Sequence, residues 1–134
     1  MDMHSSHEAS AISSYSHSIF KVLDQVMIQV EYHCFADLRF NRIDPLFKEL
    51  CLIIAEVLVL PSDAPLKING CVIRALVVQD VFKHIRNHHL RLVFDNFQNV
   101  SLRVFNKKAY LRTVLYNAFF EYESHYLNNM FATD

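Results

Sequence analysis

The scarcity of glycine and proline is the feature that most limits what this chain can fold into. Its 134 residues include one Gly and three Pro, whereas sheet-rich folds use both residue types in many tight turns. We therefore predict a mainly α fold, a compact bundle of about five helices joined by short connections. The length suits a single domain with one core.

Apolar residues recur with helical spacing along most of the chain. This periodicity predicts helices over residues 19–38, 71–86, 87–97 and 106–130. Residues 26–32 also alternate as a strand would, but the whole pattern is longer than a typical strand, so we favour a helix there. Asn87 is predicted to cap the helix that follows it.

A further helix is predicted to begin at Asp44-Pro45 and to run to about Val59, before Pro61. Asp is a preferred N-cap, and Pro suits the first helical position. This helix is apolar nearly all round, which is typical of a helix at the centre of a core or covered by a partner. Its polar side chains in the middle turns are Lys48, Glu49 and Glu56.

Two segments depart from the helical pattern. The alternation at 66–68 followed by Asn69-Gly70 predicts at most one short extended segment or hairpin near 66–70. Residues 1–18 are rich in Ser and His and lack periodicity, so we predict a mobile tail before a single helical domain over 19–134.

Net charge and hydropathy bear on binding to DNA and to membranes. The net charge of −1 argues against broad attraction to DNA or to an anionic membrane. The most apolar run, Leu50–Leu60, is far shorter than the roughly twenty residues of a membrane span.

Cys34, Cys51 and Cys71 form no Cys-x-x-Cys pair, which indicates buried free thiols. We expect a cytoplasmic protein without a signal peptide.

No motif for catalysis or metal binding stands out. The serines cluster in the tail, and a chain with one Gly cannot form a Gly-rich phosphate loop. His84 and His88 are four residues apart and His89 adjoins them, but no Cys, Asp or Glu lies at a matching offset to act as a third ligand, so structural or capping roles are favoured. We therefore predict no enzyme activity, no cofactor and no metal site.

A basic group surrounds the predicted start of the last helix, where the helix macrodipole disfavours cations. A phosphate or an acidic partner could offset that cost, although a solvated charged face is the simpler interpretation. Tyr110 and Tyr116 flank the group, which also leaves base stacking open. The group consists of Arg103, Lys107, Lys108 and Arg112.

Two motifs in the second half of the chain are specific enough to compare with known families. They are Ile68-Asn69-Gly70 and the run from Tyr110-Leu111 to Leu115-Tyr116-Asn117-Ala118. From Leu66 onward the chain resembles the uncharacterised helical C-terminal domain of replication initiator proteins of plasmids and integrative elements of Gram-positive bacteria. Further matching positions are Val78, Phe82, His89, Leu90, Asp95, Val104, Asn106 and Tyr126.

The resemblance implies a protein-binding role in the replication of a mobile element rather than catalysis. In that family the domain follows a winged helix and is similar to helicase- and primase-recruiting domains of replication restart proteins. This chain has no winged helix, and it departs from the family at Arg74, Val81 and Phe119. Phe119 replaces a family proline, so the last helix is expected to continue past it.

Three functions remain open from the sequence. The leading prediction is a non-catalytic protein-binding module derived from a mobile-element replication initiator, which contacts host or element replication proteins through the basic group together with Arg91 and Asp95. One alternative is a free-standing inhibitor of a host nucleic-acid-processing or defence enzyme, as an anti-CRISPR protein is. The other is a weak nucleic-acid binder through the basic group. A homodimer that covers Leu50–Leu60 is compatible with all three.

Overall fold

The computed structural model describes residues 18–33, 44–97 and 107–132, with side chains described over 18–33, 46–96 and 107–125. Within these residues the chain forms five helices of eight residues or more and one antiparallel hairpin, and residues 32–33 are also helical. The elements in chain order are α1 (18–29), α2 (Asp44–Leu58), β1 (Pro65–Ile68), β2 (Cys71–Arg74), α3 (Ala75–Phe82), α4 (Asn87–Phe97) and α5 (Lys107–Ala132).

The predicted mainly α fold is confirmed. The tail predicted over residues 1–18 lies, apart from Ser18, outside the described residues.

Helix α2 lies at the centre of the core, as its apolar character predicted. It contacts both α3 and α5. Its observed end at Leu58 is one residue short of the prediction. Its side chains that are at most 2% exposed are Phe47, Leu50, Cys51, Ile53, Ile54, Ala55 and Val57.

The end of α2 is closed by a side chain from α3. Gln79 is a buried residue, and its Nε2 donates to the carbonyl oxygens of Val57 at 3.0 Å and of Leu60 at 2.8 Å. Carbonyls in the last turn of a helix have no partner within the helix. The backbone N–H of Leu60 also donates to Val57, so Gln79 adds a second donor at the end of α2 and supplies a donor to Leu60 just beyond it.

The first predicted helix is correct over residues 19–29, is interrupted at residues 30–31, and is helical again at residues 32–33. Glu31 has a φ of 55°, a left-handed conformation that interrupts the helix. Just before the break, Nε2 of Gln29 donates to the carbonyl oxygens of Phe82 at 3.1 Å and Ile85 at 2.7 Å. The break lies next to this tertiary contact, which the sequence pattern does not encode. The part of the prediction over residues 34–38 lies outside the described residues.

The hairpin follows from Asn69-Gly70. Both residues have positive φ, 54° and 77°, as the two central residues of a type I′ turn require. Ile68 pairs with Cys71 across this turn, so residues 71–74 form β2, and the helix predicted to start at 71 begins only at Ala75. That helix also ends at Phe82, earlier than the predicted residue 86.

Helices α4 and α5 pack against each other and match their predicted ranges closely. Helix α5 begins at Lys107, contacts β1, and continues through Phe119 as expected from the missing proline. The buried apolar side chains of the two helices are Leu90, Val93 and Phe94 on α4, and Leu111, Leu115 and Ala118 on α5.

The cysteines only partly follow the expectation of buried thiols. Cys51 is buried in α2, and burial raises the pKa of its thiol to about 12, so it stays protonated at neutral pH. Cys71 is a free thiol as expected but is exposed at the start of β2, which corrects the burial prediction. Cys34 lies outside the described residues.

We expect Gln79→Leu to lower the free energy of unfolding by about 1–3 kcal/mol, because it keeps the side-chain volume but removes the donor of the Leu60 carbonyl and one of the two donors of the Val57 carbonyl. Urea unfolding followed by circular dichroism measures this. The matched control is Gln25→Leu on the exposed side of α1, which should change stability by less than about 0.5 kcal/mol. Equal effects of the two variants would contradict the capping role.

Candidate functional site

The predicted basic group is partly neutralised within the chain. Lys107 Nζ lies 3.0 Å from a carboxylate oxygen of Glu49, and Lys108 Nζ lies 3.0 Å from one of Glu56. Both glutamates belong to α2. The anions expected to offset the cost of cations at the start of a helix are therefore supplied by α2 itself.

The remaining predicted partner-binding residues do not form one cluster with these lysines. Arg91 and Asp95 are exposed on α4, and Arg103 lies outside the described residues. Arg112 is half-buried on α5, and among the described residues its Nε is buried without a hydrogen-bond partner. The candidates thus divide between two helices, and two of them are held in ion pairs.

A different polar cluster joins α4 to α5, centred on His89, which is 1% exposed. The backbone N–H of Arg86 donates to Nδ1 of His89 at 2.8 Å, so Nδ1 is an acceptor and carries no proton. In the neutral ring the proton is therefore on Nε2, which donates to Oε1 of Glu123 at 3.0 Å. His89 and Glu123 are 34 residues apart in sequence, and no local spacing could have paired them.

This contact also caps α4. The carbonyl of Arg86 accepts the first hydrogen bonds of the helix, from the N–H groups of His89 and Leu90. His89 in turn accepts from the N–H of Arg86, as Glu or Gln does in a capping box. Asn87, predicted as the cap, instead donates to the carbonyl oxygen of Val30 at 3.1 Å. That prediction is corrected: Asn87 ties α4 to the end of α1.

Aromatic rings enclose the His89 ring. Phe119 and Tyr122 of α5 lie with ring centroids 5.1 Å and 5.3 Å from it. His88 lies 4.1 Å from His89 and 4.2 Å from Tyr122. The cluster is therefore a packed junction between two helices rather than an open cleft.

Three potential metal ligands meet at this junction. The donor atoms of His88, His89 and Glu123 all lie within 4.8 Å of one another. A metal-bound His normally donates its other ring N–H to an acceptor, but Nδ1 of His89 faces the N–H of Arg86. Binding a metal through Nε2 would require that hydrogen bond to break. The site also lies at the positive end of the α4 macrodipole. The geometry fits a hydrogen-bonded His better than a metal ligand.

The protonation of His89 affects stability. Burial lowers the pKa of His89 from its usual value of 6.5, and the positive charges of His88 and Arg86 act in the same direction. The hydrogen bond and charge of Glu123 oppose this shift. Because the folded protein prefers the neutral ring, its contribution to stability is complete above pH 6.5 and is lost as the pH falls below that value.

We expect the free energy of unfolding to fall between pH 7.5 and pH 5, and to fall less steeply in His89→Gln. Gln keeps an acceptor for the N–H of Arg86 and a donor for Glu123 but does not titrate. Urea unfolding across this pH range measures the slope. The control, His84→Gln at an exposed position, should keep the slope of the unaltered protein. A slope that His89→Gln leaves unchanged would contradict this assignment.

We also expect excess zinc at pH 7 to leave the melting temperature unchanged, because the His89 ring would have to give up its capping hydrogen bond to bind it. A ligand that binds the folded state raises the melting temperature by mass action. Differential scanning calorimetry with and without zinc provides the measurement. A rise that disappears in Glu123→Gln would show that the junction does bind metal.

Large apolar side chains are exposed on four elements of the described chain. Ile28 is 79% exposed on α1, and Val72 is 70% exposed on β2. Contiguous exposed apolar surface is a feature of protein-interaction sites. The other large exposed apolar residues are Phe20, Leu76, Val77 and Phe120.

The hairpin turn is anchored to α5 by two amide side chains. Asn69 Nδ2 donates to Asn117 Oδ1 at 2.9 Å, and Asn117 Nδ2 donates to Asn69 Oδ1 at 3.0 Å. The two motifs that stand out in the sequence, 68–70 and 115–118, thus meet directly in the fold. Their spacing of 48 residues kept this contact out of reach of sequence patterns.

Comparison with known proteins gives one family. The profile of a family of unknown function, DUF6017, matches residues 4–133. No curated protein and no solved structure matches the chain at a significant level. In the described part of the chain, no helix has both the length and the apolar character needed to cross a membrane.

Proposed function

Because this chain belongs to DUF6017, a family of unknown function, we propose a function from its own residues. We propose a non-catalytic protein-binding module derived from a mobile-element replication initiator, which contacts replication proteins of the host or of the element. The observation that carries this proposal is the set of six large apolar side chains that are exposed on α1, β2, α3 and α5.

The pairing of the lysines favours protein over nucleic acid as the partner. Nucleic-acid binding depends on cations that are free to replace counterions along the phosphate backbone. Lys107 and Lys108 are instead engaged with Glu49 and Glu56. Exposed ion pairs are worth at most about 1 kcal/mol, so they can exchange, but the carboxylates also repel phosphate.

The meeting of the two motifs supports the link to replication initiators. The resemblance rests most strongly on the segments 68–70 and 115–118, and the reciprocal amide pair between Asn69 and Asn117 joins them. Residues that match because they hold a fold together indicate a shared fold. The resemblance points to a replication protein as the partner.

We expect the immobilised full chain to capture replication proteins from a lysate of a Gram-positive bacterium that carries such an element. Because the proposal rests on exposed apolar side chains, we expect the captured partner to contact them. Capture should therefore persist at high salt, where charge-driven binding is screened. Mass spectrometry identifies the captured proteins, and beads with the heat-denatured chain are the control. Capture of a defence nuclease instead would favour the inhibitor alternative, and capture no greater than the control would contradict the proposal.

We further expect weak binding to oligonucleotides, with a dissociation constant no lower than about 100 µM at physiological salt, the weak limit of non-specific binding. Fluorescence anisotropy with labelled single-stranded and duplex DNA measures it. The informative variant is Lys107→Gln/Lys108→Gln, with Lys83→Gln as the control at another exposed position. Tighter binding that falls steeply with salt and is lost in the double variant would make nucleic acid the partner.

A further inference from the structure

The outer face of the hairpin is a small, uncovered surface with a defined pattern of side chains. Leu66 and Ile68 of β1 are buried, so the alternate residues of β1 face outward. The register pairs Pro65 with Arg74 and Lys67 with Val72. All four outward residues are exposed, and Val72 is exposed by 70%.

The backbone at the outer edge of β2 is also open. In a hairpin with a two-residue turn, the residues that flank the turn form the hydrogen-bonded pair, here Ile68 and Cys71. Val72 then lies in a non-hydrogen-bonded pair, and its N–H and C=O point away from β1. Among the described residues, no backbone group outside the hairpin bonds to either of them.

The two edges of the hairpin differ in their surroundings. Helix α5 packs against β1, and the Asn69–Asn117 pair fixes the turn to the same helix. On β2, by contrast, Cys71, Val72 and Arg74 are all exposed. The edge of β2 is therefore the side of the hairpin that another strand can approach.

The charges on this face determine which kind of partner strand can bind at the edge of β2. Lys67 and Arg74 occupy diagonal positions about 7–8 Å apart by the geometry of antiparallel pairs, and neither takes part in an ion pair among the described residues. No acidic residue belongs to the outer face. An incoming strand would complement this edge if it placed a carboxylate opposite Arg74 and an apolar side chain opposite Val72.

We propose that β2 binds an extended, acidic segment of a partner protein, which adds a third strand to the hairpin. Main-chain hydrogen bonds to Val72 would supply affinity, and the side chains opposite Val72 and Arg74 would supply specificity. This inference rests on the proposed protein-binding function and names its docking site. A second copy of β2 is a poorer partner, because β2 contains no acidic residue that could lie opposite Arg74.

The test uses the full chain and a short acetylated peptide containing Glu-Thr-Val-Thr-Glu, whose symmetry allows either strand direction. We expect it to shift the backbone amide signals of residues 71–74 in nuclear magnetic resonance titrations. The same peptide with Lys in place of Glu, and the acidic peptide N-methylated at Val, should bind at least about fivefold more weakly, the change that one net hydrogen bond of about 1 kcal/mol corresponds to.

Variants of the protein separate the contribution of the main-chain hydrogen bonds to binding from the contribution of the Arg74 charge. Val72→Pro removes the outward N–H without removing a hydrogen bond of the hairpin and should weaken binding about fivefold or more. Arg74→Gln should weaken it about twofold to fivefold, and the control Lys83→Gln should not change it. Circular dichroism checks that each variant is folded, and the N-methylated peptide tests the same bonds if Val72→Pro is not.

Three outcomes would overturn the proposal: no shift at residues 71–74, equal binding of the Lys peptide, or an oligonucleotide that shifts these amides at lower concentration. If the peptide does not bind but the lysate experiment recovers a replication protein, the docking site is wrong and the proposed function stands. If the peptide binds but no replication protein is recovered, the docking site is supported and the proposed function is contradicted.

Discussion

The burial of α2 is the constraint on which the rest of the structure depends. A helix that is apolar nearly all round exposes too much hydrocarbon to water unless neighbours cover it on several sides. Helices α3 and α5 both contact α2, and the ion pairs from Lys107 and Lys108 reach the polar residues at its rim. The other elements are arranged around this helix, and their own exposed faces are what remains for recognition.

The backbone hydrogen-bonding groups at the helix ends need partners, and this chain has only one glycine to help supply them. Helices commonly end with Gly in a left-handed conformation, which lets the last carbonyls find partners. Here side chains add to the backbone hydrogen bonds at the helix ends. Gln79 of α3 closes α2, Gln29 of α1 closes α3, and His89 caps its own helix while it reaches Glu123 of α5. Each closure also fixes one helix relative to another, so local capping and tertiary packing are a single set of interactions.

These interactions distinguish the polar groups that hold the fold together from the polar groups that can bind a partner. His89 and Glu123 resemble a metal site by proximity, yet both ring nitrogens of His89 already have partners. Lys107 and Lys108 resemble a phosphate-binding group in sequence, yet carboxylates of α2 neutralise them. The outer face of the hairpin is different, because Lys67 and Arg74 have no ion-pair partner among the described residues and the backbone of Val72 is open. Recognition is therefore easier to assign there than at the positions that sequence alone suggested.

The sequence by itself determined the approximate positions of the helices and which helix is central, since periodicity and the run of apolar residues in α2 are local properties. It also determined the position of the turn, because Asn69-Gly70 accepts the positive φ angles that a tight hairpin needs. It did not determine where α1 breaks or that residues 71–74 form a strand. Hydrogen bonds from Gln29 lie beside the break, and pairing with β1 forms the strand, so both depend on distant segments.

The same reason applies to the site. The pairs Asn69–Asn117 and His89–Glu123 join residues 48 and 34 positions apart, and no spacing rule connects them. Only the tertiary structure decided which polar side chains are held inside the fold and which remain free, because that depends on what the packed helices bring within hydrogen-bonding distance.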